Sequence, residues 1–377
     1  MKVKTLATAL IMASTVLSCA GPQKGDDIVT MLVGTYTGSG SKGIYSYKFD
    51  QNTGKLVLPE KETSPEAPGS VNSASLPNPS FLTITDDGTV YAVGEMNDET
   101  ASLSTLRFNR DDLSFDLVST VLTHGEDPCY VSTDGKVVLS ANYSGGTLSV
   151  YPVDGEGKAG EPTQVIPGSI GGPDFRRQAT PHVHCAIFSP DGKYVFVSDF
   201  SADRLLRFDA GKELSSPVAF SVHPDYGPRH IIFSNDGKNV YVIGELSGDV
   251  TVFGYDNGNL TEKQVVRADR VDARGAADIH ITPDGKFLYA SLRLKNDGIA
   301  VYKILEDGTL QDAGYCNTGI HPRNFAITPN GKFLLAACRD SNDIEVYSID
   351  PSDGSLTPNG EVITLPKPVC VIWDTAK

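Results

Sequence analysis

The sequence predicts an all-β chain folded as a ring, a seven-bladed β-propeller closed by pairing of the C-terminal strand with N-terminal strands. Three observations carry this reading. Six times a short apolar run leads into an Asp-Gly or Asn-Gly pair and straight into a second apolar run, with turns at Asp87-Gly88, Asp134-Gly135, Asp191-Gly192, Asp236-Gly237, Asp284-Gly285 and Asn330-Gly331. Such a pair between runs rich in Val, Ile, Phe and Tyr marks a tight hairpin, because Gly accepts the positive φ these turns need. The turns recur at intervals of roughly 45 to 57 residues, the length of a four-stranded blade. Finally, Pro368 to Trp373 (PVCVIW) reads as a first strand with no partner after it, and Met31 to Tyr36 and Gly43 to Phe49 read as the partners it lacks. Joining them closes the ring and leaves only short, protected edges.

The six explicit repeats begin NPSFLTITDDGTVYAVGE at Asn78, DPCYVSTDGKVVLSANY at Asp127, PHVHCAIFSPDGKYVFVSDF at Pro181, GPRHIIFSNDGKNVYVIGEL at Gly227, AADIHITPDGKFLYASLR at Ala276 and HPRNFAITPNGKFLLAACRD at His321. A weaker third run follows, as in Thr147 to Tyr151, Asp249 to Phe253, Gly298 to Tyr302 and Ile344 to Tyr347, and reads as the next strand outward. No segment keeps a 3.6-residue apolar period for three turns, so almost no helix is expected. The stretches Glu60 to Pro77 and Pro162 to Ala179 are long insertions carrying Pro and Gly, and long loops in a compact domain often cover a binding site.

Ahead of the repeats lies a different kind of sequence. Lys2 and Lys4 form a basic start, Leu6 to Leu17 an apolar stretch, and Val16-Leu17-Ser18-Cys19 a small-residue cleavage site ending in Cys. Residues 1–18 read as a signal peptide, Cys19 as a lipidated N-terminus, 19–29 as a tether and 30–377 as the propeller. The expected location is the cell envelope, on the periplasmic side or the outer-membrane surface, with contact to membrane only through the lipid.

Cys129, Cys185, Cys316, Cys338 and Cys370 remain, with no C-x-x-C spacing. That pattern argues against a disulfide framework or a zinc site, and no metal or other cofactor is expected. The formal net charge of −15 becomes two units more negative once Lys2 and Lys4 leave with the leader. Such a balance repels nucleic acid and anionic membrane, so an anionic ligand needs a local concentration of arginine.

Blade geometry supplies one. If each hairpin turns at the far face, residues just before each inner strand and just after each second strand meet around one tunnel mouth. Into that ring fall Asn78, Glu95, Asn142, Tyr143, His182, His184, Asp199, Arg229, His230, Glu245, Asp278, Arg293, His321, Arg323 and Arg339. His182 and His184, two apart on a strand, are expected to share a face. Arginines in such a ring either hold a ligand or pair with Glu95 and Glu245 to join blades. The aspartates of the turns are expected to be turn formers.

These residues, with VGTYTGSGSKGIYSYKFDQNTGKL, GEDPCYVSTDGKVVLSANYSGGTLSVY and RQATPHVHCAIFSPDGKYV, resemble the seven-bladed lactonase family, which includes propeller-type 6-phosphogluconolactonases and fungal carboxymuconate cyclases. The resemblance runs from about Leu32 to Trp373. It implies a lactone-handling site at the tunnel mouth, with the family's His, two Arg and Glu falling on His184 (or His182), Arg229, Arg293 and Glu245. Asn78, Glu95, Asn142, His182 and Arg323 are the expected substrate-binding residues. Gly94, Gly244, Leu292 and Asn324 depart from the family pattern beside these positions, so the substrate-selecting wall differs.

The reading that follows is a lactone hydrolase acting on a small anionic sugar lactone, with Glu245, alternatively His184, as general base and Arg229 or Arg293 on the oxyanion. No serine stands in a G-x-S-x-G turn, which disfavours an acyl-enzyme. Two alternatives keep the same site: a cycloisomerase closing an unsaturated carboxylate to a lactone, and a non-catalytic surface propeller that binds a sugar acid or a protein. Arg229 and Arg293 are expected to carry ligand charge more than stability.

Overall fold

A computed structural model describes residues 27–376; the leader, Cys19 and most of the tether lie outside the described residues. Seven antiparallel sheets are arranged as blades. Blades I to VI run in chain order over residues 82–122, 128–167, 183–221, 228–267, 276–317 and 322–364. Their inner strands are Leu82–Ile84, Pro128–Thr133, Val183–Phe188, Pro228–Phe233, Ala276–Ile281 and Pro322–Ile327.

Blade VII joins the two ends of the chain. Its inner strand Pro368–Asp374 pairs with Ile28–Thr35, and that strand pairs with Gly43–Asp50. Met31 stands opposite Trp373, Leu32 opposite Ile372 and Val33 opposite Val371. Each inner strand touches the next around the full circle, Pro368–Asp374 against Leu82–Ile84 included.

The physics of the ring is face-to-face packing between blades. Met31, Val33, Tyr45, Tyr47 and Phe49 of blade VII pack on Leu335, Ala337, Ile344 and Val346 of blade VI, while Leu32, Ile44 and Cys370 pack on Leu82, Val90 and Leu106 of blade I. Alternate residues of one composite sheet therefore feed two cores, as a strand covered on both faces requires. At the far face all six expected turns form, with positive φ at Gly88, Gly135, Gly192, Gly237, Gly285 and Gly331. Asp191, Asp236 and Asp284 each accept a hydrogen bond from the Ser or Thr two residues earlier, which makes them turn formers. The only helical pieces among the described residues are two single 3-10 turns, Thr37–Ser39 and Phe200–Ala202.

The two insertions differ in use. In the first, Asn72–Ser75 returns to pair with Gly43–Asp50 as part of the outer edge of blade VII. In the second, Gln164–Pro167 completes blade II and the remainder, residues 168–180, crosses the mouth face.

Candidate active site

The side chains at the mouth owe their aim to one repeated irregularity. In six of the seven inner strands the ladder slips as the strand leaves the mouth, between Pro128 and Tyr130, Val183 and Cys185, Pro228 and Ile231, Ala276 and Ile279, Pro322 and Asn324, and Pro368 and Cys370. A bulge adds a residue to one strand and turns its side chain off the regular alternation. The residues at the six slips are Cys129, His184, Arg229 with His230, Ala277 with Asp278, Arg323 and Val369. Side chains that alternation would send into the cores between blades are delivered to the tunnel. The second ring of side chains comes from the residues after the second strands of all blades but III: Tyr36, Glu95, Tyr143, Glu245, Arg293 and Arg339; in blade III that residue is Phe200, which is buried.

These two rings enclose a cavity of about 290 Å³, walled by Tyr36, Glu95, Asp127, Cys129, Tyr143, Arg177, His184, Glu245, Arg323 and Arg339. A larger cleft of about 550 Å³ beside it is lined by Asp98, Glu99, His124 and Glu126 and carries no Lys or Arg. The arginines converge on the smaller one.

Glu245 is the hub. Its Oε2 accepts from Arg229 Nε at 2.9 Å, with Arg293 Nη2 at 3.4 Å, and its Oε1 accepts from Arg177 Nη2 at 2.7 Å. Burial opposes ionisation, but Arg293, Arg229 and Arg177 outweigh it and hold the carboxyl at about 2. Beside it His184 Nε2 lies 3.9 Å from Oε2, and Nδ1 lies 3.5 Å from Cys129 Sγ. Burial, then the charges of Arg229 and His230, keep His184 well below the ordinary imidazole range, so the ring is neutral.

Across the cavity Arg323 faces Glu95 at 3.5 Å, a loose pair, and Tyr36 donates its hydroxyl to the same carboxylate at 2.7 Å. His321 lies between Arg293 and Arg339, 3.3 Å from each. Burial and the charges of Arg293, Arg339 and Arg323 push its pKa down to about 2. Burial and the repulsion of Arg229, Arg323 and Arg339 bring Arg293 itself down to about 9, against the pull of Glu245. In a chain of net charge −15, this pocket of positive potential is local and built from side chains.

Of the residues expected at the site, His184, Glu95, Glu245 and Arg323 reach the cavity wall. Arg229 and Arg293 stand behind Glu245: Arg229 also donates to Ala277 O and Arg293 to Gly275 O and Ala276 O. Asn142 is buried between strands, donating to Thr147 Oγ1 and Ser149 Oγ, and Asn78 holds the Thr37 turn and Glu95 O. His182 and His184 do not share a face, because the bulge after Val183 breaks the alternation. His182 instead stacks on Tyr143, with ring centroids 4.2 Å apart, and buttresses it from outside.

Four wall residues do not stand out in the sequence. Tyr36 holds the same blade position as Glu95 and Glu245, a signal hidden because its blade is split between the chain ends. Asp127 and Cys129 open blade II just where Arg229 sits in blade IV. Arg177 comes from the 168–180 loop, outside every repeat, and only the suspicion that this insertion covers a site pointed to it.

The position of Arg229 reverses the expectation about stability. Its side chain is 2% exposed and joins blade IV to blade V through Ala277 O. Arg229→Ala is therefore expected to cost about 3–5 kcal/mol, the scale for removing one partner of a buried ion pair. The check is a lower denaturant midpoint at unchanged slope; wild-type stability with only ligand binding lost would make it a binding residue instead.

The five cysteines of the described residues are free thiols. Among those residues one group of potential metal-ligating atoms, on Cys338, Asp343 and Glu345 of blade VI, lies within 4.8 Å, and it is separate from the cavity wall.

The family model described as Lactonase, 7-bladed beta-propeller, matches residues 30–373. The chain belongs to that family. Among curated relatives of this lactonase-family chain, the 6-phosphogluconolactonase of Bacillus subtilis is 32% identical over 349 residues, covering 90% of this chain and 96% of its own. A solved Bacteroides uniformis structure, provisionally assigned as a 6-phosphogluconolactonase, is 52% identical with a TM-score of 0.88 and covers 92% of this chain and 100% of its own. The periplasmic gluconolactonase of Pseudomonas aeruginosa is 29% identical with a TM-score of 0.84, covering 92% and 99%.

Proposed function

We propose that this lactonase-family chain hydrolyses a small anionic sugar lactone, in the manner of a 6-phosphogluconolactonase. One observation carries the reading: arginines converge on a small cavity whose wall also holds a neutral imidazole 3.9 Å from a buried carboxylate. The family and the names of its relatives support it.

Ester hydrolysis needs a water made nucleophilic and a stabiliser for the oxyanion. Three arginines engage the two oxygens of Glu245, whereas among the described residues His184 Nε2 makes no hydrogen bond and lies 3.9 Å from Glu245 Oε2, which favours His184 as the base. A water within hydrogen-bond reach of both His184 Nε2 and Glu245 Oε2 gives its proton to His184 as its oxygen attacks the lactone carbonyl. Glu245 then stabilises the imidazolium, which returns the proton to the ring oxygen as the intermediate collapses and the ring C–O bond breaks. Arg323, loosely paired with Glu95, takes the developing oxyanion, and Arg339 and Arg177 take the substrate's anionic group. The oxyanion role thus moves from Arg229 or Arg293, which are committed to main-chain carbonyls, to an arginine on the wall.

Acid release from a panel of lactones tests the assignment, with an unsaturated dicarboxylate followed by ultraviolet absorption as the opposing arm. Catalysed acid release supports hydrolysis; absorbance loss on the dicarboxylate alone supports cyclisation; neither leaves a non-catalytic binding propeller. We also propose export as a lipoprotein, on the leader and Cys19. Cys19→Ala should leave the precursor unlipidated and free of the membrane fraction, and unchanged membrane association would contradict it.

A further inference from the structure

We infer that Arg177 is the specificity-determining residue of this site: its guanidinium leaves Glu245 for the anionic group of the substrate, and the exchange strengthens the neighbouring base. The inference rests on the hydrolase reading with His184 as base.

Three arginines hold Glu245, but only one is free to leave. Arg229 and Arg293 have side chains 2% and 6% exposed, and their remaining N–H groups donate to the carbonyls of Ala277, Gly275 and Ala276. Moving either would strand buried polar groups, a cost of the order of a lost charged hydrogen bond each. Arg177 is 37% exposed. Its Nη2 makes both of its side-chain hydrogen bonds, to Glu245 Oε1 and to the Tyr143 hydroxyl, and its guanidinium lies over the Phe200 ring, 5.5 Å from the centroid, a contact that does not fix the Nη atoms. Among the described residues Nε and Nη1 have no hydrogen-bond partner.

The loop that carries Arg177 is itself fixed. Gly172 N donates to Ser201 O, Gln178 donates to Phe200 O and to Asp203 Oδ1, and Arg274 binds Asp174 at 2.6 Å. The backbone therefore holds the base of the side chain at the cavity edge, and the exchange needs only a rotamer change, a fast motion. An anion entering the cavity meets an arginine shared with one carboxylate oxygen and a phenol, and a dianionic phosphate competes well for it.

The consequence falls on His184. The groups facing Glu245 and His184 are Arg177 from the loop, Tyr143 and Cys129 from blade II, Arg229 and His230 from blade IV and Arg293 from blade V, with Arg323 across the cavity adding to the field. With three arginines in place the carboxylate's charge is spent, and little remains to favour an imidazolium. Once Arg177 has moved, Glu245 is less compensated and His184 accepts a proton more readily. A lactone without an anionic group leaves Arg177 where it is and meets the weaker base.

The test compares the wild type with Arg177→Gln and Arg177→Lys on 6-phosphorylated and plain gluconolactone, and measures calorimetric binding of the two corresponding sugar acids. For Arg177→Gln the preference in kcat/KM for the phosphorylated lactone should fall about 10- to 100-fold. Its kcat on the plain lactone should rise above wild type, with the acid limb of that profile moved to higher pH. The lysine variant should recover part of the preference. An equal fall on both substrates, an intact preference, or no rise on the plain lactone overturns the inference, as does unchanged binding of the phosphorylated acid. A wild type that turns over neither lactone, yet loses tight binding of the phosphorylated acid on Arg177→Gln, sinks the hydrolase reading and leaves the anion-capturing role of Arg177 standing.

Discussion

His184→Gln is expected to lose ~10²- to 10⁴-fold in kcat, the usual contribution of a positioned general base, while KM stays close to wild type. Imidazole Nε2 stands 3.9 Å from Glu245 Oε2, near enough for one water to touch both. A glutamine amide can hold that water but cannot take its proton. The companion change Glu245→Gln separates the roles. Loss of the charge that steadies the imidazolium lowers kcat, whereas a rise in KM alone would make Glu245 only a positioning partner of the arginines. The pH dependence carries its own sign. A base works unprotonated, and His184 is held well below 6.5, so activity on an unphosphorylated lactone should stay flat through neutrality. It should fall only at more acid pH. A limb centred at or above 6.5 would mean that another group titrates.

Removing residues 368–377 should abolish the folded state. The strand Pro368–Asp374 supplies the inner edge of blade VII, and Val369, Cys370 and Val371 within it are at most 3% exposed. Full burial of an aliphatic side chain contributes roughly 1.5–3 kcal/mol. The loss also unpairs Ile28–Thr35 and opens the cores shared with blades VI and I. Those terms together rival the roughly 5–15 kcal/mol that holds a typical domain. A soluble truncation with a cooperative melt would show that the ring does not depend on this closure.

Much of this architecture was legible because the repeat writes the same local signal six times. Asp-Gly turns set the far face, and the residue after each second strand set the near one, which placed Glu95, Glu245, Arg293 and Arg339 on one side. Tyr36 obeys the same rule and was missed only because its blade is assembled from both ends of the chain. The bulges were not legible. Nothing in PHVHC says that the ladder will slip after Val183, so alternation paired His182 with His184 and the structure separated them. The difference between Arg229 and Arg323, one spent on main-chain carbonyls and one facing the cavity, is likewise set by what neighbouring blades present. Arg177 was out of reach for another reason, since a non-repeating loop leaves no position to compare.

The proposed reaction is the opening of a lactone by water in this cavity. The most direct measurement is acid release in a pH-stat, with phosphorylated and plain gluconolactone side by side, by the wild type and by folded His184→Gln. The expected result is ring opening far above the spontaneous rate, fastest on the phosphorylated lactone, with nearly all of it lost in the variant. Wild-type rates no faster than buffer, or a His184→Gln protein as fast as wild type, would contradict it.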